Sequence, residues 1–268
     1  MLNIKDGIYP NMTNEEYHNS LGYSKTTLDG ILKQADYIEW KSNATKYDDR
    51  ALVVGSALHT SVLEPNEYSA RYTVRPKFDM RKKDDKEQAV LWDENHSTHV
   101  ILSSDEHDGI SAMTESIKAS PYAQSLLKGG ASEVSIFHTL ENGLQVKIRP
   151  DYIVEDKGII VDVKTTKDVN DFGRSAINYG YDMQAAMYTM IAEKVYNKPF
   201  KFFFVVVGKD KNCGTYPVRV YETPKLVIER GTRLFNQAIA KVQALNKAET
   251  PIYDILQVPS WALASSEF

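Results

Sequence analysis

The period of the apolar positions changes several times along the chain, and each change marks an element. Thr13 followed by Glu16 three residues later forms a capping box, and Ser24 leads into Leu28, Ile31 and Leu32 at helical spacing. A third helix is predicted from about Ala51 to Leu63, stopped by Glu64-Pro65 because a residue before proline is driven out of the helical region. Residues 68–100 are weakly patterned, and the mixed-charge run Arg81 to Glu87 reads as a solvated loop or helix end. Ser104-Asp105-Glu106 opens a further helix, and a short one ends at Gly129-Gly130.

In the middle of the chain the period shortens to two. Three strands are predicted in close succession, Glu133 to Leu140, Leu144 to Val154 and Ile159 to Thr165, the first two joined by the hairpin signal Asn142-Gly143 and the last two by the turn 155–158. Asp182 to Tyr196 returns to helical spacing and ends at Asn197-Lys198-Pro199. The uninterrupted apolar run Phe202 to Val207 then predicts a strand buried on both faces. A strand at Tyr216 to Glu222 and a long helix from about Pro224 to Lys247 follow. The order helix, three strands, helix, strand argues for a mixed α/β architecture.

Composition changes this picture little, but it removes several alternatives. Hydrophobic residues make up 42% and charged residues 25% of 268 positions, which is ordinary globular usage. The longest apolar run has six residues, too short for a membrane span, and the opening MLNIKDGIYPNM lacks a basic region followed by an apolar one. An intracellular, cytoplasmic protein with no membrane partner is therefore expected. Cys213 is the only cysteine, so neither an intrachain disulfide nor a four-thiolate cluster can form, and any metal must be held by oxygen and imidazole. The net charge of −4 leaves nucleic acid open as a partner, since phosphate binding needs a local basic surface and not a basic total.

Candidate chemistry gathers on the third strand. Alternation along Ile159 to Thr165 places Asp162 and Lys164 on one face and Val161 and Val163 on the other. Asp151, after Arg149-Pro150, ends up beside Asp162 if the turn pairs the two strands antiparallel. Two converging carboxylates repel, and a hard divalent cation relieves that repulsion. The adjacent ammonium suits either orientation of a water or neutralisation of a phosphate. Alone, Asp-x-Lys is more often an exposed cross-strand ion pair. Gly55 and His59 share a helical face, the glycine leaving room for a neighbour beside the imidazole, and Gln184 and Tyr188 share another. No phosphate loop, HExxH, GxSxG or GxGxxG is present.

Taken in order, Gly55 to His59, Pro150-Asp151, Asp162-Val163-Lys164 and Gln184 to Tyr188 resemble the four motifs of PD-(D/E)xK nucleases of the RecB-like branch. The segments 22–28, 55–60 and 258–262 are similar, more narrowly, to the RecE (exonuclease VIII) nuclease domain. The resemblance implies a single nuclease domain over 1–268 with a restriction-endonuclease-like core. Residues 1–130 would be a mainly helical part carrying the GxxxH motif, 131–222 the catalytic sheet, and 223–268 a C-terminal helix and tail.

For the site, it implies that Asp151 and Asp162 bind the metal, with His59 and the backbone carbonyl of Val163 as further ligands. Lys164 would hold the attacking water, and Gln184 and Tyr188 would support the site and touch the DNA backbone. Glu133 matches weakly: it is expected to be a solvated strand end, the alternative being a ligand to a second metal. The implied activity is 5′→3′ digestion of linear duplex DNA with Mg²⁺, for which Mn²⁺ substitutes, leaving 3′ tails for recombination by strand annealing. The implied assembly is a homotetrameric ring around the duplex. For the apolar tail Ile252 to Phe268, packing on the same or a neighbouring subunit is expected, the alternative being docking of a RecT-type annealing protein. Two other readings share the motifs: a RecB-like single-strand or flap nuclease without a ring, and an inactive DNA-binding protein of the same fold.

Overall fold

The computed structural model describes residues 2–43 and 49–245. In chain order these form β1 (Gly7–Tyr9), α1 (Asn14–Asn19), α2 (Lys25–Lys33), α3 (Tyr37–Asn43), α4 (Arg50–Leu63), α5 (Pro65–Arg71) and β2 (Tyr72–Val74). Next come α6 (Lys83–Asn95), β3 (Val100–Leu102), α7 (Ser104–Lys118), α8 (Pro121–Leu126), β4 (Ala131–Ser132), β5 (Ser135–Thr139), β6 (Gln145–Ile148) and β7 (Tyr152–Val154). The rest is β8 (Ile159–Thr166), α9 (Phe172–Asn178), α10 (Tyr181–Tyr196), β9 (Lys201–Gly208), β10 (Val218–Glu222) and α11 (Lys225–Leu245).

The central sheet has the order β10-β9-β8-β7-β4. Only β8 and β9 are parallel in it, linked through α9 and α10 as a crossover needs; the other pairs are antiparallel. Alternation divides the two inner strands between two cores. Val161, Val163, Phe203, Val205 and Val207 pack with Ala57 and Leu58 of α4 and with Ile110, Met113 and Ile117 of α7. Ile160, Phe202, Phe204 and Val206 face the opposite way, toward Leu28 and Ile31 of α2, Met187 and Ile191 of α10, and Phe235 and Ile239 of α11. Each fully buried Ile or Phe side chain contributes roughly 1.5–3 kcal/mol, so both layers are anchored by the same two strands. The crowded α10–α11 contact admits no side chain at Gly231, where a Cβ would come within 2.0 Å of the Asp182 carbonyl oxygen. A second sheet, β1-β5-β6, adds Ile136, Val146 and Ile148 to the second core.

The capping residues Thr13 and Ser24 cap α1 and α2 as expected, Ser103 caps α7, and Gly143 turns the β5–β6 hairpin with φ 82°. Two strand expectations require correction. The predicted strand 144–154 is two strands in two different sheets, because Pro150 has no N–H to continue a ladder and the chain crosses from one sheet to the other at 149–151. The predicted strand 133–140 begins only at Ser135. Glu133 itself has φ 54° and forms the bend that carries the chain out of β4 toward β5. Glu64-Pro65 does end α4, but Pro65 also starts α5, where its missing N–H costs nothing. The expected helix end at Lys247 and the tail 252–268 lie outside the described residues.

Candidate active site

The site lies at the start of β7, where β8 runs on past it. Register brings three acidic positions into one row across neighbouring strands. Ser132 pairs with Tyr152 and Tyr152 with Val161, so one step further along Glu133 stands opposite Asp151, and Asp151 opposite Asp162. The Glu133 N–H donates to the Asp151 carbonyl at 3.1 Å, fixing the first pair. Beyond the start of β7 the Asp151 side chain takes over as the partner of β8: its Oδ2 accepts the Val163 N–H at 2.8 Å. N–H and C=O of one residue in an extended strand leave on the same edge, so the Val163 carbonyl, expected as a ligand, faces the edge occupied by Asp151.

His59 reaches this edge from α4, with Nδ1 3.4 Å from Asp151 Oδ2. Among the described residues, ligand atoms of His59, Glu133 and Asp151 lie within 4.8 Å of one another. Burial and the charge of Asp151 push Glu133 up to about 7, against the pull of Arg149, whose Nε sits 2.9 Å from a Glu133 oxygen. Two carboxylates and an imidazole at this spacing, one carboxylate resisting ionisation, are a donor set that a divalent cation fits. The expectation that Glu133 is a solvated strand end is thus replaced. Space is open beside Gly55, where a Cβ would meet nothing within 4 Å, in keeping with the room expected at that position.

Asp162 is 1% exposed and stands behind this group. Its Oδ1 accepts the Gln184 amide at 2.6 Å, and its Oδ2 faces the Lys164 ammonium. Burial and the charge of Asp151 raise Asp162 to about 6, while Lys164 opposes the shift. For Lys164, burial disfavours the charge, but Asp162 and Asp151 outweigh it and raise the ammonium to about 12. The carboxylate and the ammonium face each other as an ion pair, with Asp162 aiming the lysine. Gln184 supports the site by holding Asp162. Tyr188 is 8% exposed, packs edge-on against Phe202 at 6.2 Å, and accepts a bond from the Arg149 backbone. Both side chains lie beneath the site, so the expected contact of Tyr188 with a DNA backbone does not match its place in the core.

Three participants were not singled out from sequence. Arg149 clamps Glu133, donates to the carbonyls of Met12 at 2.8 Å and Thr13 at 3.2 Å, and lies over the Tyr17 ring. Its position directly before Pro150-Asp151 was the available signal. Tyr181 presents its ring to the Lys164 ammonium, 4.9 Å from the ring centroid, and Lys25 approaches the same ring at 5.9 Å. Lys25 lies in the 22–28 segment already noted; nothing local marks Tyr181.

The sequence matches the model of a family described as "PDDEXK-like domain of unknown function (DUF3799)" over residues 34–254, and the chain belongs to that family. The crystal structure of a Eubacterium rectale protein named "putative exonuclease" superposes with a TM-score of 0.63 over 96% of this chain and 99% of that one, at 16% identity, which shows a shared fold. A second solved structure, SSO0001, is also 16% identical and covers 64% of this chain and 91% of its own, with a TM-score of 0.31. No curated protein matches. The chain has the PDDEXK-like α/β fold, a mixed sheet flanked by helices, and family, fold and site together support a nuclease. Among the described residues no helix is long and apolar enough to cross a membrane.

Proposed function

We propose that this protein is a metal-dependent exodeoxyribonuclease of the RecE type, digesting linear duplex DNA from 5′ to 3′ and leaving 3′ single-stranded tails for recombination by annealing. The observation that carries the reading is the juxtaposition of the His59, Glu133 and Asp151 group with the buried Asp162–Lys164 pair. His59, Glu133 and Asp151 would hold the metal, and the Asp162 carboxylate and the Val163 carbonyl, both expected as ligands, would complete the set. Mg²⁺ is the natural occupant of an oxygen-rich set, and the imidazole makes Mn²⁺ an effective substitute. When bound, the metal supplies a nucleophile at neutral pH and offsets negative charge in the transition state.

The chain's own groups do the rest. Lys164 stays protonated, held by Asp162, and places a positive charge where a water or a phosphate oxygen must be oriented. Gln184 fixes the Asp162 carboxylate so that the ammonium cannot drift. Asp151 and the Val163 N–H lock the strand edge on which the donor set depends. Similarity in sequence to the RecE domain supports the wider reading: a cytoplasmic homotetrameric ring around duplex ends, and a RecT-type annealing protein as partner. An end-labelled linear duplex incubated with Mg²⁺, with EDTA, and beside a closed circular duplex tests it. Metal-dependent loss of the 5′ label with circles intact is expected. Cutting of circles would instead favour an endonuclease, and release only from single strands or flaps would favour the RecB-like alternative.

A further inference from the structure

The catalytic lysine is bordered by an aromatic pair that the proposed chemistry does not use. Tyr181 is half-buried, backed by Phe172 at 6.0 Å and Phe204 at 5.9 Å, with Lys164 and Lys25 both within 6 Å of its ring centroid. Tyr179 lies 5.8 Å from Tyr181, ring to ring, and is 61% exposed. A large aromatic side chain left open to solvent beside a charged centre is poorly explained by packing.

Its position is built. Gly180, between the two tyrosines, has φ 64°, and a Cβ there would meet Asp29 Oδ1 at 3.1 Å and Lys25 Nζ at 3.3 Å. Only glycine lets the loop come this close to α2 while turning into α10. The Lys25 ammonium then donates to the Tyr179 carbonyl at 2.6 Å, pinning the backbone that carries the exposed ring. Lys25 is itself held near Asp29 at 4.0 Å, so the latch is anchored on α2. The loop is thus held to α2 at two points, the Gly180 approach and the Lys25 bond to the Tyr179 carbonyl, while the Tyr179 ring stays exposed.

We infer that Tyr179, set beside Tyr181, whose ring the ammonium groups of Lys164 and Lys25 approach, is a stacking subsite for a nucleobase of the strand being cut. The inference rests on the nuclease reading and deepens it. Cations beside an aromatic face match a nucleotide, whose phosphate seeks the ammonium and whose base seeks the ring. Stacking is indifferent to sequence because every base has a π face, which suits an enzyme that must remove any nucleotide it meets.

The full-length protein tests this in two measurements. The first is steady-state digestion of linear duplex by wild type, Tyr179→Ala and Tyr179→Trp. The second is fluorescence of 2-aminopurine placed near the 5′ end of a duplex bound to the same proteins in an Asp151→Asn background. Tyr179→Ala should raise KM about tenfold with kcat within about twofold, and abolish the quenching that stacking produces, while Tyr179→Trp retains both. A wild type that cuts, with Tyr179→Ala unchanged in KM and quenching, overturns the subsite alone. A wild type that neither cuts nor binds duplex overturns the nuclease reading and the subsite with it.

Discussion

Glu133 and Asp151 are joined through the backbone while their side chains oppose each other: the Glu133 N–H donates to the Asp151 carbonyl at 3.1 Å, and the two carboxylates lie with His59 within 4.8 Å of one another. The backbone bond keeps together two carboxylates that repel. The resulting strain in charge is what makes the pair a cation site, and it has consequences that can be measured.

The first is a dependence on pH. Glu133 is raised from 4.5 to about 7 and Asp162 from 3.8 to about 6 in the metal-free fold. Groups raised in this sense bind protons more tightly folded than unfolded. They stabilise the protein fully below the unfolded values, and that stability is lost as pH rises through about 6 to 7. In EDTA the melting temperature of wild type should therefore fall relative to Glu133→Gln between about pH 5 and pH 8. Saturating Mg²⁺ should restore it, increasingly so at the upper end, because the ion displaces the Glu133 proton. Parallel melting curves for the two proteins across this range with no divergence would remove Glu133 from the donor set.

Lys164 offers a separation of roles. The ammonium is paired with Asp162 and is not a ligand, so Lys164→Ala should lose cleavage by roughly a thousandfold while keeping Mg²⁺ binding by calorimetry. Loss of the metal site in a folded Lys164→Ala protein would show that the lysine instead organises the donor set.

Assembly is open to a direct check. A chain with net charge −4 must concentrate its cations where DNA passes, and a closed ring does so with one repeated interface. A homotetramer is expected by light scattering, with duplex affinity falling steeply as salt rises. A 30.3-kDa monomer that digests long linear duplex processively would contradict the ring.

Much of this site was legible because its residues lie on strongly patterned elements. The Ile159 to Thr165 alternation set Asp162 and Lys164 apart from Val161 and Val163, and the 3.6 period aligned Gln184 with the site. The break at 149–151 was harder, since both flanking stretches alternate in the same way and only Pro150 marks the change of sheet. Glu133 was the least legible, because its place depends on a positive φ and on pairing with a strand that lies well downstream. Neither leaves a local trace. Elements such as α3, α5, α6 and α9 bury few side chains, so they imprint little periodicity.

The most direct test of the central claim is the rate at which purified wild type, Asp151→Asn and Asp162→Asn hydrolyse linear duplex DNA in Mg²⁺, each shown to be folded by its melting curve. Losing several kcal/mol of charge stabilisation, at about 1.36 kcal/mol per tenfold, predicts a fall of roughly a thousandfold or more in either variant. A variant that keeps more than about a tenth of the wild-type rate, less than 1.4 kcal/mol of lost stabilisation, would contradict the assignment of this acidic row as the active site.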